Sequence, residues 1–261
     1  MYLTKYGHAC VRLESDGRAL VIDPGAMTPE PEALAGVEAA LITHEHFDHF
    51  EAERLSAAAA NDPRFAVYTC PGVARHLTDL HDQVRVVRDG DVVHVAGLQV
   101  RVIGEKHHHS HPDVPPVENV GFLVEDEVFH PGDALTVVDV PTLLVVGQAP
   151  WMTVPDLIGC LRRAAPRRAY AIHDGLLNRW GWTCSTAYCE ARRSGYAPTF
   201  GDCSPVRRCC SQTDRACLAG LAGEPYDDDV GAALVDVSKP LRQMRNLWRH
   251  VTIGRDGHGR S

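Results

Sequence analysis

Thr43-His44-Glu45-His46-Phe47-Asp48-His49 sets three imidazoles and an aspartate within seven residues. A histidine offers one ring nitrogen to a divalent cation and an aspartate offers hard oxygens, so the run suits borderline metals such as zinc or manganese. Its density marks a site for two ions. The plain alternative is a solvated polar loop. Against it, Val37-Glu38-Ala39-Ala40-Leu41-Ile42 reads as a short apolar strand feeding into the run, and Phe50-Glu51-Ala52 opens an alanine-rich helical stretch after it. Ligands at a strand-to-helix junction sit on rigid supports, and more residues of ligand type follow downstream.

Working outward, strand-like runs dominate the first third. Ala9–Leu13 and Ala19–Ile22 form a hairpin about Ser15-Asp16-Gly17, and the second arm ends in Asp23-Pro24-Gly25. Further strands are Phe65–Tyr68, Val84–Val87, Val92–Val95 and Leu98–Ile103, with turns at Asp89-Gly90 and Ala96-Gly97. A helix fills Gly72 to Leu80. A second hairpin joins Val120–Val124 to Glu127–His130 about Glu125-Asp126, and strands Leu143–Val146 and Arg168–Ile172 flank a helix from Val154 to Ala164. Thr153-Val154-Pro155-Asp156 is a good helix start: threonine caps, proline tolerates the first turn, and aspartate complements the positive end. Strands in runs with helices between some of them point to two packed sheets flanked by helices.

At 261 residues and 44% hydrophobic content the chain can bury a core unaided. A net charge of -8 without a basic run argues against a phosphate-backbone partner, so no nucleic acid is expected; a small-molecule substrate, anionic ones included, is compatible. No apolar leader follows a charged start and no stretch approaches a membrane span, so the expectation is a cytoplasmic protein without a membrane partner. Cys10, Cys70 and Cys160 alone occupy the first 178 residues, consistent with an intracellular, disulfide-free unit.

Three more places supply ligand-type residues. His107, His108, His109 and His111 follow the strand ending at Ile103; one or two serve as ligands, and His107 is the choice for a third imidazole beside His44 and His46. Asp133 in His130-Pro131-Gly132-Asp133 is either a turn aspartate or a ligand at a strand end. His173 closes an apolar strand and precedes Asp174-Gly175, a placement that favours a ligand over a core residue.

Taken together, the His44–His49 run, a later histidine, the Gly-Asp of HPGDA and the histidine of AIHDG resemble the metallo-β-lactamase superfamily of metal-dependent hydrolases. More narrowly, GHACVRLE, VIDPG and the hairpin leading to HPGDA look like the branch that includes L-ascorbate-6-phosphate lactonase. The likeness spans about residues 1–178. It implies an α/β fold, an αββα sandwich, with one metal on His44, His46 and His107, a second on Asp48, His49 and His173, and Asp133 bridging both. Asp48 and Asp133 would take part in catalysis. Asp23 would orient a ligand histidine. His8 would face the mouth of the site or serve packing, His130 and His111 are candidates for supporting the ligands, and Trp151 shapes the pocket or packs in the core. His108 and His109 stay open as substitutes for His107. Two divalent cations, zinc or manganese, would share a bridging hydroxide that attacks a small ester, lactone or phosphoester. A nuclease of the same fold is the alternative within catalysis, and a non-catalytic metal-binding protein the alternative outside it.

Beyond residue 178 the character changes. Residues 179–261 carry Cys184, Cys189, Cys203, Cys209, Cys210 and Cys217 without a Cys-x-x-Cys pair, so a second zinc site is disfavoured and an atypical extension is expected. Within it, residues 239–251 place Leu241, Met244, Trp248 and Val251 on one helical face, suited to docking on the core or on another copy in a homo-oligomer.

Overall fold

A computed structural model describes residues 1–29, 31–177, 181, 199–201, 207–210 and 233–235. The expected helix at 239–251 lies outside them. In chain order the strands are β1 (Tyr2–Tyr6), β2 (Cys10–Ser15), β3 (Arg18–Ile22), β4 (Ala39–Ile42), β5 (Ala66–Thr69), β6 (Val84–Val86), β7 (Val92–Val95), β8 (Leu98–Ile103), β9 (Gly121–Val124), β10 (Val128–His130), β11 (Thr142–Val146), β12 (Arg168–Ile172), β13 (Thr199–Gly201), β14 (Arg207–Cys210) and β15 (Ala233–Val235). Helices are α1 (Ala52–Asn61), α2 (Pro71–Ala74) and α3 (Val154–Ala164). One sheet runs β15-β14-β1-β2-β3-β4-β5-β6 and the other β13-β12-β11-β10-β9-β8-β7. This is the expected sandwich of two mixed sheets with few helices.

Side-chain alternation shows how the second sheet is buried. Phe122 and Val124 of β9, Leu144 of β11 and Tyr170 and Ile172 of β12 join the large core shared with the first sheet. Their neighbours Leu123, Leu143, Val145 and Ala169 point the other way, onto Leu157, Cys160, Leu161 and Ala164 of α3. Period-two strands thus feed two apolar clusters at once. In the first sheet β4 is buried along its whole length, and α1 adds Leu55 and Ala59 to the same core. The expected turns form: Asp16 and Gly17, Ala96 and Gly97, and Glu125 and Asp126 all have positive φ, the requirement of a two-residue hairpin turn whose twist matches its strands.

Two stretches depart from the sequence reading. The helix expected over Gly72–Leu80 is a single turn, α2, followed by a 3-10 segment at Thr78–Gln83. Gly72 is a poor helix former, and Leu77 and Leu80 are both drawn into the core, so burial takes precedence over continuous helix. Past residue 178, where no strand was expected, β13 extends the second sheet beside β12, while β14 pairs with β1 and β15 with β14.

The strands also set the stage for chemistry. Asp23 follows β3, the Thr43–His49 run follows β4, His107 follows β8, Asp133 follows β10 and His173 follows β12. Five strand ends converge, as ligand sites in such sheets commonly do.

Candidate metal centre

His44, His46, His107 and Asp133 each offer a ligand atom within 4.8 Å of one another, and so do His8, Asp48, His49 and His173. The two groups meet at Asp133, whose carboxylate oxygens lie 3.3 Å from His107 Nε2, 3.1 Å from His173 Nε2 and 3.2 Å from His49 Nε2. The spacing of the sequence motif explains the split: His44 Nε2 and His46 Nδ1 face each other at 3.1 Å, while Asp48 and His49 turn towards His173.

What fixes each imidazole is the hydrogen bond at its other nitrogen. Thr43 donates its hydroxyl proton to Asp23 Oδ2 at 2.7 Å, so its oxygen accepts the Nδ1 proton of His44 at 3.0 Å and leaves His44 Nε2 bare. His107 Nδ1 donates to the His108 carbonyl at 2.5 Å, and His173 Nδ1 to the Gln148 carbonyl at 2.6 Å. His49 Nδ1 donates to Asp23 Oδ2 at 2.7 Å, with Thr43 N–H on Asp23 Oδ1 at 2.8 Å. Asp23 is wholly buried and fixes the orientation of the His49 ring. Asp23 and His173 also carry left-handed backbone, φ 51° and 58°, an uncommon and costly conformation that the surrounding contacts must hold.

His8 is buried and does not sit at the mouth of the site. Its Nδ1 accepts the Gly175 N–H at 3.0 Å, and burial lowers its pKa, so the neutral ring carries its proton on Nε2 and donates to Asp48 Oδ2 at 3.1 Å. It steadies a carboxylate and has no lone pair left to offer there. His130 lies further out, bonding the Ala9 carbonyl and the Gly132 N–H, with Nδ1 3.9 Å from Asp23 Oδ2. Trp151 is half-buried and its ring centroid stands 5.3 Å from that of His107, 4.9 Å from His108 and 6.4 Å from His173, so it forms a wall of the site. His108 stacks on that wall and His109 is exposed, which leaves His107 as the histidine of its loop that joins the cluster. His111 is a correction: it is exposed, takes the Asp113 N–H on Nδ1, and joins neither ligand group, because its loop has already turned out to solvent.

Several supporting groups carried no sequence signal. Asn119 accepts the Asp133 N–H at 3.0 Å and donates to the Pro131 carbonyl, locking the turn that aims Asp133. Gly132 has φ 61°, and a Cβ there would lie 2.3 Å from Asn119 Oδ1; at Gly25 a Cβ would strike the Asp48 carbonyl at 2.3 Å. The glycines of HPGD and DPG are therefore fixed by close approach. Lys5 of β1 donates to Asp174 at 2.6 Å beneath His173, both buried; burial raises the Asp174 pKa to about 6 against the pull of Lys5.

The electrostatics of the two groups differ. Burial pushes the pKa of His44 well below its ordinary value and lowers that of His46. Burial acts the same way on His173, yet hydrogen bonds donated to Asp133 and Asp48 outweigh it and bring it to about 9. At His49 the charges of Asp133 and Asp23 likewise overcome burial and hold the pKa well above the ordinary value. Burial opposes ionisation of both ligand carboxylates, but His173 and His8 hold the Asp48 pKa low, and His49 and His107 lead those that hold Asp133 low. A field that traps protons between carboxylates also attracts a cation. His49 Nε2 and Asp133 Oδ1 face each other at 3.2 Å, both buried and without a well-aligned hydrogen bond to any other group, which leaves their remaining capacity turned towards the centre. The donor set, imidazole nitrogens with carboxylate oxygens, fits zinc or manganese.

Among the described residues no helix is long and apolar enough to cross a membrane. Comparison with known proteins agrees with the geometry. Residues 2–171 match the family model described as beta-lactamase superfamily domain. A Mycobacterium tuberculosis protein, Rv0786c, is 36% identical over 184 residues, 68% of this chain and 85% of that protein. The UPF0173 metal-dependent hydrolase MJ1163 of Methanocaldococcus jannaschii is 29% identical over 147 residues, 50% of this chain and 60% of that one. Among solved structures, Igni18, a metallo hydrolase from Ignicoccus hospitalis, superposes with a TM-score of 0.58 at 16% identity, covering 80% of this chain and 98% of that one. A family match over most of the described chain, carried by the same strands that hold the ligand cluster, leads to one conclusion: this chain belongs to the beta-lactamase superfamily.

Proposed function

We propose that this protein is a metal-dependent hydrolase that holds two adjacent divalent cations, zinc or manganese, and cleaves a small ester, lactone or phosphoester. The carrying observation is the pair of ligand groups meeting at Asp133, with each ligand imidazole except His46 anchored at its far nitrogen or, for His49, at Asp23. In this reading His44, His46 and His107 hold one ion, Asp48, His49 and His173 the other, and Asp133 is shared. Bound there, the ions supply Lewis acidity and a water acidified towards neutrality.

The chain's own groups do the rest. Asp48 is the more open of the two ligand carboxylates, its side chain 13% exposed against 2% for Asp133, so it is the one placed to receive a hydrogen bond from the attacking water. Its low pKa makes it an acceptor that orients, more than a base that keeps a proton. His8 holds that carboxylate at the required angle. Trp151 walls the site beside His107 and His173 and limits water entry. The finer likeness to the L-ascorbate-6-phosphate lactonase branch, resting on GHACVRLE and VIDPG, is part of the same reading, as is a cytoplasmic setting.

The test is a screen of lactones, esters, phosphodiesters and RNA with the metal-loaded protein, alongside His46→Ala and Asp133→Ala. The reading expects turnover of one of the first three classes, abolished by both substitutions. Turnover that survives both contradicts it, and turnover of RNA alone replaces it with the nuclease alternative.

A further inference from the structure

A cavity of about 460 Å³, within the range of small-ligand sites, adjoins the centre and shares His107 with it. Lys106 and His109 line it from the loop that carries His107, and Arg163 lines it from the last turn of α3. Gly159 stands one helical turn before Arg163. A Cβ there would lie 3.1 Å from Arg163 Nη1, so the missing side chain leaves the guanidinium room to fold back along the helix into the cavity. Neither Lys106 nor Arg163 is neutralised by an ion pair among the described residues. The carboxylate in the wall, Asp156, is already engaged: its Oδ2 accepts the Thr153 N–H at 2.8 Å and the Thr153 hydroxyl at 2.6 Å. Lys106 and Arg163 thus line a cavity whose one carboxylate caps α3, held low in pKa first by its Thr153 hydrogen bonds and least by the Arg163 charge, on a chain whose net charge is -8.

We propose that this cavity binds a small oxyanion, a phosphate or a carboxylate, between Lys106 and Arg163, and that the oxyanion is a substituent of the substrate whose scissile group lies at the metal centre on the far side of His107. Guanidinium recognises such a group through paired N–H donors, and the ammonium adds a point charge. The substrate role rests on the hydrolase reading; the oxyanion site does not.

Calorimetric titration of inorganic phosphate, and separately of acetate, into the purified full chain at low salt tests the site against Lys106→Ala/Arg163→Ala and Arg163→Lys. The expected result is measurable binding of at least one anion, weakened about tenfold or more in the double variant and less in Arg163→Lys. The stronger binder identifies the chemistry. No binding to the native chain, or equal binding to the double variant, overturns the proposal. Both side chains are exposed, so folding should survive, and Arg163→Gln alone replaces the double variant if its circular dichroism is altered. A second arm compares hydrolysis of a carboxylate-bearing ester with that of its neutral methyl-ester counterpart; the ratio of their kcat/KM values should fall about tenfold in the double variant. If none of the lactones, esters and phosphodiesters of the screen is cleaved while the phosphate arm behaves as expected, the hydrolase reading fails and the oxyanion site stands. If esters are cleaved and the anion titrations are flat, the reverse holds.

Discussion

The two halves of the centre use the same residue types under opposite electrostatic regimes. On one side burial lowers the pKa values of His44 and His46, while a threonine hydroxyl orients His44 and a backbone carbonyl orients His107. On the other, His49 and His173 stand among Asp23, Asp48 and Asp133, and their protons are held tightly. In the proposed two-ion reading the first half is ready for an ion, whereas the second must release protons to take one. Filling order and pH response should therefore separate the halves, although they share Asp133.

The largest effect is expected from removing what they share. Asp133→Ala should weaken both ions more than about 100-fold and bring hydrolysis to background, read by metal analysis after dialysis. Loss of one ion alone would show that Asp133 belongs to one half. Next is Asp23→Ala, which strips the anchor from His49 and leaves the Thr43 N–H unpaired. It should cost about 1–3 kcal/mol of stability for each buried donor left without a partner, and about 10–100-fold in affinity at the second half, with a smaller loss at the first because the Thr43 hydroxyl that orients His44 also loses its acceptor. Thermal unfolding and a two-site metal titration check both parts.

A change of pH should split the halves without mutation. His173 must lose a proton held to about pH 9, so below that value its contribution costs the second ion about tenfold in affinity per pH unit. In the first half burial lowers the pKa values of His44 and His46, so their contribution should barely change between pH 8 and 6. Metal titrations at pH 6, 7 and 8 should show one affinity falling steeply and the other holding; parallel curves would erase the distinction. Smaller still, His8→Gln should weaken the second ion about tenfold through a loosened Asp48, with the first unmoved. At the bottom of the scale, His111→Ala should leave both affinities within about twofold, as a solvated side chain requires.

Sequence made some parts of this legible for physical reasons. The helix Val154–Ala164 and the strand Arg168–Ile172 appear with the bounds read from the chain, because local chemistry sets them: Asp156 accepts from Thr153 at the start of α3, and Ala165 ends it in left-handed backbone. The ligand motif was legible because seven consecutive residues carry it. What stayed hidden depends on long-range partners. Strand β1 buries Thr4 and Lys5 on its opposite faces, and Lys5 is tolerable there because it pairs with Asp174, 169 residues further along the chain. His8 stayed open between the mouth of the site and packing because nothing local reveals that the Gly175 N–H sets its proton. Asn119 is one buried amide in a loop, and its use appears only once Pro131 and Asp133 are placed around it.

The most direct test is the metal stoichiometry of the purified native chain beside Asp133→Ala at pH 8, measured by elemental analysis after equilibrium dialysis against zinc. Two adjacent ions sharing one carboxylate predict about two zinc ions per native chain and close to none in the variant. A native chain that saturates at one ion, or a variant that keeps its full complement, would contradict a shared dinuclear centre.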